Sequence, residues 1–183
     1  MPQLILGGAR SGKSRMAERR AREWTVTHGG ELMYVATGAA GDEEMTQRIA
    51  IHRERRGPEW ELIEEPEDLA GVLATCRNRR VCLVVDCLTL WVSNCLHKGS
   101  WDQQRERLLT ELKNWNQSSP QVIFVSNEVG SGIVPLGELS RQFVDASGWL
   151  HQALAEVCER VTLVVAGLPM ELKHQHNNEQ ING

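Results

Sequence analysis

The residues best suited to chemistry stand close to the start of the chain. Gly7-Gly8-Ala9-Arg10-Ser11-Gly12-Lys13-Ser14 fits the spacing G-x-x-x-x-G-K-S/T at every fixed position. Glycines at those places let backbone N–H groups curl around the β- and γ-phosphate oxygens of a nucleoside triphosphate, and a helix starting at Lys13 adds partial positive charge. In this reading Lys13 bridges the phosphates and Ser14 ligates Mg²⁺. Asp86 closes an apolar run, Val81 to Val85, and is the natural second partner for that metal, directly or through water. As an ordinary strand-terminal aspartate it would instead cap the helix that follows.

A second candidate is His52. On a helix beginning near Asp42, Met45, Ile49 and His52 fall on one stripe, with Arg48 and Arg55 or Arg56 flanking the histidine at helical spacing. Cations nearby disfavour a second proton on the imidazole, keeping it neutral and nucleophilic, and would also hold an incoming phosphate chain. A core histidine satisfied by one hydrogen bond would give the same pattern, so the residues alone leave both roles open.

These groups need scaffolding, and the order of elements supplies it. Leu4 to Leu6 reads as a strand that enters the glycine loop, and Lys13 to Trp24 reads as a helix with Met16, Ala17, Ala21 and Trp24 on one face. Short apolar runs at 32–36, 60–63, 81–86, 122–125 and 161–165 read as further strands. Between them lie helices over 42–57, from Pro66 through Cys76, over 88–96, over 101–115, and through Leu150, Leu154 and Val157. Strands alternating with helices imply a doubly wound, mostly parallel α/β sheet, expected to close at Val165. Val81 to Val85 is apolar at every position, which predicts a central strand covered on both faces.

The bulk composition narrows the class. A length of 183 residues with 41% apolar and 24% charged content suits one globular domain, set at 1–173, with the polar run 174–183 as a disordered tail in which His174 and His176 are solvated. A net charge of −4 and a pI near 5.9 argue against a nucleic-acid partner. No 18-residue apolar stretch predicts a membrane span, and the N-terminus has no signal-peptide pattern, which points to the cytoplasm. The five cysteines are an odd number without a C-x-x-C pair. They are expected to be small buried hydrophobes in a reducing compartment.

Several segments together resemble one family, the bifunctional adenosylcobinamide kinase / adenosylcobinamide-phosphate guanylyltransferases of cobalamin assembly. The resemblance spans about residues 4–173. It rests on Gly7 to Ser14, Tyr34-Val35-Ala36-Thr37, Arg48-Ile49 with His52, Trp60 and Glu64, and Asp86-Cys87-Leu88-Thr89. The most specific segment is Val125 to Pro135, followed by the spaced Arg141, Phe143, Asp145, Gly148 and Gln152.

The resemblance implies an NTPase-like, RecA-like fold built on a phosphate loop, and two reactions. In the first, ATP or GTP phosphorylates the aminopropanol hydroxyl of adenosylcobinamide. In the second, GTP loses pyrophosphate to leave GMP on His52, and the GMP then passes to adenosylcobinamide phosphate. By the same resemblance Thr37, Gly38, Ala39, Arg53, Glu54, Arg55, Arg56, Glu64 and Asp86 contact the guanine nucleotide, and the subunits form a homo-oligomer, a trimer in the family. A carboxylate such as Glu64 suits the paired N–H donors of a guanine edge, and arginines suit phosphate. Asn127 and Glu128 could orient the acceptor hydroxyl or the metal, or staple their loop. The family commonly has Asn-Gln where this chain has His151-Gln152, so His151 takes no role by analogy. Without the resemblance, a single-function small-molecule kinase with a structural His52 and a regulatory nucleotide switch stay open.

Overall fold

A computed structural model describes residues 1–38, 57–115 and 120–174. Seven strands form one sheet: β1 (Pro2–Gly7), β2 (Glu31–Ala36), β3 (Trp60–Glu64), β4 (Val81–Asp86), β5 (Gln121–Asn127), β6 (Arg160–Val165) and β7 (Leu168–His174). The helices are α1 (Lys13–His28), α2 (Leu69–Cys76), α3 (Leu88–Lys98), α4 (Trp101–Lys113) and α5 (Glu138–Val157). Across the sheet the strands run β3-β2-β4-β5-β1-β6-β7. All neighbours are parallel except β6 and β7, which are antiparallel.

The unbroken apolar character of the strands has a direct structural cause, because alternate residues feed two cores. Met16, Ala17 and Ala21 of α1 pack with Ile5, Tyr34, Val84 and Ile123 on one face. Helices α2 to α5 cover the other face, where Leu73, Trp91, Leu108 and Leu150 meet Leu4, Met33, Leu83 and Phe124. The amphipathic stripe of α4 lies as its spacing predicts, with Trp101, Leu108 and Leu112 buried.

Two elements differ from their sequence reading. The helix expected to open at Pro66 begins at Leu69, because Asp68 caps it by accepting from the Gly71 N–H at 2.9 Å. Just upstream, Glu65 Oε1 accepts from the N–H groups of Glu67 and Asp68. The sheet, expected to close at Val165, continues through a turn at Ala166-Gly167 into β7. Strand β7 ends at His174, a residue the sequence reading placed in the tail.

Strand β7 pairs along β6, and charge ties it further to α1. Glu171 accepts from Arg160 Nε (2.9 Å), Arg20 Nη2 (2.8 Å) and Thr162 Oγ1 (2.9 Å), which joins α1, β6 and β7. Burial works against the ionised Glu171 carboxylate, but these hydrogen bonds and the arginine charges outweigh it and hold its pKa below the usual carboxylate value.

Candidate active site

Parallel strands that share a direction deliver their carboxyl ends to one edge, where ligands of open α/β sheets collect. Here that edge carries Gly7, Ala36, Glu64, Asp86 and Asn127. The register pairs Gly7 with Asn127, and Ala36 with both Glu64 and Asp86.

The loop between β1 and α1 is built for close approach. Arg10 (φ 55°) and Gly12 (φ 98°) take left-handed conformations, the kind of alternation that turns successive N–H groups toward one point. A Cβ on Gly7 would lie 2.6 Å from the Val164 carbonyl oxygen and 2.5 Å from Ser11 Oγ, so only glycine fits there. Distant backbone braces the loop: the Glu128 N–H donates to the Gly7 carbonyl at 3.1 Å, and the Gly167 N–H donates to the Ser11 carbonyl at 2.8 Å. Helix α1 starts on Gly12 with no side-chain cap and no acid in its first turn. Its first N–H groups and positive dipole end are therefore left for a ligand anion.

Lys13 is the electrostatic oddity of this loop. It is only 8% exposed, yet its Nζ donates to the Gly8 carbonyl at 3.0 Å and forms no ion pair among the described residues. A nearly buried ammonium held by one neutral oxygen has room for a further acceptor, and an anionic ligand oxygen would suit it. Asp86 is the matching anion at the end of β4. Tyr34 Oη donates to its Oδ2 at 2.6 Å, and no cation among the described residues pairs with it. Burial pushes the neighbouring Cys87 thiol pKa up; Asp86 adds to the rise and Lys13 opposes it, so both charges act on one point.

Thr37 ties β2 to β4 behind that point. Fully buried, its Oγ1 donates to the Cys87 carbonyl at 2.7 Å and accepts from the Cys87 N–H at 2.9 Å. Cys87 Sγ lies 3.0 Å from Thr89 Oγ1, which accepts from Asn127 Nδ2 at 3.0 Å. Glu128 accepts from the N–H groups of Gly130 (2.8 Å) and Ser131 (3.2 Å), the loop-stapling role of the alternatives raised for it. His151 Nε2 lies 2.7 Å from Ser126 Oγ, and burial lowers the imidazole pKa against the pull of Glu128.

Of the residues singled out in sequence, Gly7 ends β1, Gly8, Ala9, Arg10, Ser11 and Gly12 form the turn, and Lys13 and Ser14 open α1. Thr37, Gly38, Glu64 and Asp86 sit at or just beyond the same sheet edge, with Glu64 exposed. Ala39, His52, Arg53, Glu54, Arg55 and Arg56 lie outside the described residues, as does all but the last residue of the helix expected over 42–57. Among the described residues no group of three His, Cys, Asp or Glu side chains could cage a metal. One hydroxyl (Ser14) and one carboxylate (Asp86) still suit Mg²⁺, which keeps its waters and takes other oxygens from substrate phosphates. Sequence reasoning missed Asn94 and Gly167. Asn94 Nδ2 donates to the carbonyls of Thr37 (2.8 Å) and Pro66 (3.1 Å), and no local signal announces either residue.

Sheet and glycine turn together define an α/β class with a mostly parallel sheet flanked by helices and a tight β1–α1 turn at its carboxyl edge. Residues 3–172 match the family described as "Cobinamide kinase / cobinamide phosphate guanyltransferase", and the chain belongs to that family. It is 54% identical over 176 residues to the bifunctional adenosylcobalamin biosynthesis protein CobP of Pseudomonas aeruginosa, covering 94% of this chain and 98% of the relative. It is 33% identical to CobU of Escherichia coli and 32% identical to CobU of Salmonella typhimurium, in each case over 93% of this chain and 98% of the relative. The chain is a bifunctional kinase and nucleotidyltransferase of cobalamin biosynthesis.

Proposed function

We propose that this one sheet edge serves both reactions, with the residue roles that follow. ATP or GTP sits with its β- and γ-phosphates in the Gly7–Ser14 segment, where Lys13 neutralises the charge that develops on the transferred phosphoryl group. Mg²⁺, held by Ser14 and Asp86, would supply further charge neutralisation between the phosphates. The acceptor of the first reaction is the hydroxyl of the aminopropanol arm of adenosylcobinamide. In the second reaction the neutral imidazole of His52 attacks the α-phosphorus of GTP, a P–N bond forms, and the P–O bond to pyrophosphate breaks. The phosphate oxygen of adenosylcobinamide phosphate then displaces the histidine, giving adenosylcobinamide-GDP.

The observation that carries this reading is the nearly buried Lys13 on a glycine turn in a chain matched to the family from residue 3 to residue 172. Gly38, Ala39, Arg53 to Arg56 and Glu64 are assigned to the guanine nucleotide, whereas Thr37, fully buried with its hydroxyl bonded to Cys87, positions the strand ends instead of contacting the nucleotide as expected. An overall fold like that of RecA-type NTPases is supported by strand order, since β5 lies between the phosphate-loop strand β1 and the aspartate strand β4. We take residues 1–173 as the catalytic unit. A reducing, cytoplasmic setting is supported by five free, buried cysteines, and no helix among the described residues is long and apolar enough to cross a membrane. A homo-oligomer, trimeric by resemblance to the family, is supported by the edge strand β7, whose Leu168, Met170 and Leu172 are exposed.

The test is covalent labelling. Protein incubated with α-labelled GTP and Mg²⁺, then denatured, should retain label that is acid-labile and base-stable, as a phosphoramidate is. His52→Asn should fold and retain none. Equal labelling of that variant would remove the histidine from the mechanism.

A further inference from the structure

A groove of about 560 Å³ runs between α3 and α5, outside the phosphate turn. Its volume falls in the range of small-molecule sites, about 300–1,000 Å³. Leu96, Leu139, Phe143 and Val144 give it an apolar lining, while Ser93, His97 and Ser140 bring polar groups to it. Two features set it apart from a packing defect. Asn94, one of its lining residues, is hydrogen-bonded to the Thr37 carbonyl, and Thr37 is in turn bonded to Cys87 beside Asp86. Groove and phosphate edge therefore share a wall one side chain thick. The loop that contributes Pro135 also holds Ile133 and Leu136, which are 97% and 98% exposed, with Val134 and Leu139 exposed beside them. A braced loop that offers this much apolar surface next to a cavity is matched to a ligand larger than the cavity itself.

We infer that this groove and its apolar loop hold the corrinoid acceptor, an inference that rests on the function proposed above. The acceptor is a broad, flat macrocycle fringed with amide side chains. Its apolar face suits Leu139, Phe143 and the loop, and its amides suit the hydroxyls of Ser93 and Ser140. Seated there, it lies next to the carboxyl edge, where its hydroxyl arm meets the triphosphate.

The test fills the groove from opposite sides. Ser93→Trp on α3 and Ser140→Trp on α5 change exposed residues, so the fold is expected to hold. Binding of cobinamide is followed by equilibrium dialysis and corrinoid absorbance, and labelling by α-labelled GTP, which uses no corrinoid, is the control. Both variants should bind cobinamide at least ten-fold more weakly, with a matching rise in KM for the kinase step and labelling within two-fold of the parent. Parent-like cobinamide affinity in both variants overturns the inference, as does joint loss of labelling and binding in both. A changed sedimentation mass with unchanged affinity also overturns it, and identifies the groove as a contact between copies. A parent protein that neither binds nor phosphorylates cobinamide sinks the proposed function itself, and the groove assignment with it.

Discussion

Replacing Thr37 by valine keeps its shape and deletes its hydroxyl, which isolates one structural device. That hydroxyl serves two backbone groups of Cys87 at once in a fully buried position. Without it the Cys87 N–H loses its partner, at about 1–3 kcal/mol for a buried orphan donor. The Cys87 carbonyl suffers less because it also accepts from the Trp91 N–H at 3.2 Å, so its loss is about 1 kcal/mol. The sum is about 2–4 kcal/mol. Thr37→Ser makes the opposite change, removing one methyl and keeping both hydrogen bonds, for about 1 kcal/mol. Urea unfolding followed by circular dichroism should therefore rank the proteins parent, serine, valine, with unchanged slope. In thermal unfolding, a chain of this length loses about 2–4 °C per kcal/mol, so the valine variant should melt about 5–15 °C below the parent. A serine variant as unstable as the valine variant would refute the reasoning, because it would make the methyl the group that matters.

Two further outcomes follow from geometry already described. Gly7→Ala forces a methyl against the Val164 carbonyl, whereas a Cβ on Gly8 meets nothing within 4 Å. The first variant should lose about 1–3 kcal/mol of stability without nucleotide and the second almost none, and equal losses in unfolding experiments would discount the close approach at Gly7. Glu171→Gln should cost about 1–3 kcal/mol at pH 7, because Arg20, mostly buried, loses its carboxylate partner. The folded Glu171 pKa is depressed, so its stabilisation is full above the usual carboxylate value and is lost as pH falls through the folded value. The gap between parent and variant should thus close below about pH 4, and a constant gap from pH 7 to pH 3 would contradict the assignment.

What the sequence by itself determined is the local content of the site. Gly7 to Ser14 declares strand, turn and helix through spacing alone, since glycine conformation and helix initiation are short-range matters. Strand β4 and its terminal Asp86 were legible because a strand buried on both faces must be apolar throughout. That same uniformity hides the neighbours: a run such as Val81 to Val85 carries no mark of which strand lies beside it. Only the tertiary structure decided that β5 separates β1 from β4, and that Thr37 locks onto Cys87, 50 positions away.

Strand β7 shows the limit most plainly. Leu168, Met170 and Leu172 alternate as a strand should, but their side chains are exposed, while the charged Glu171 turns to Arg20, Arg160 and Thr162. Pattern reading assumes that apolar side chains point inward. Here the ladder with β6 and ion pairing across three elements hold the strand instead, and neither leaves a period of apolar residues along the chain.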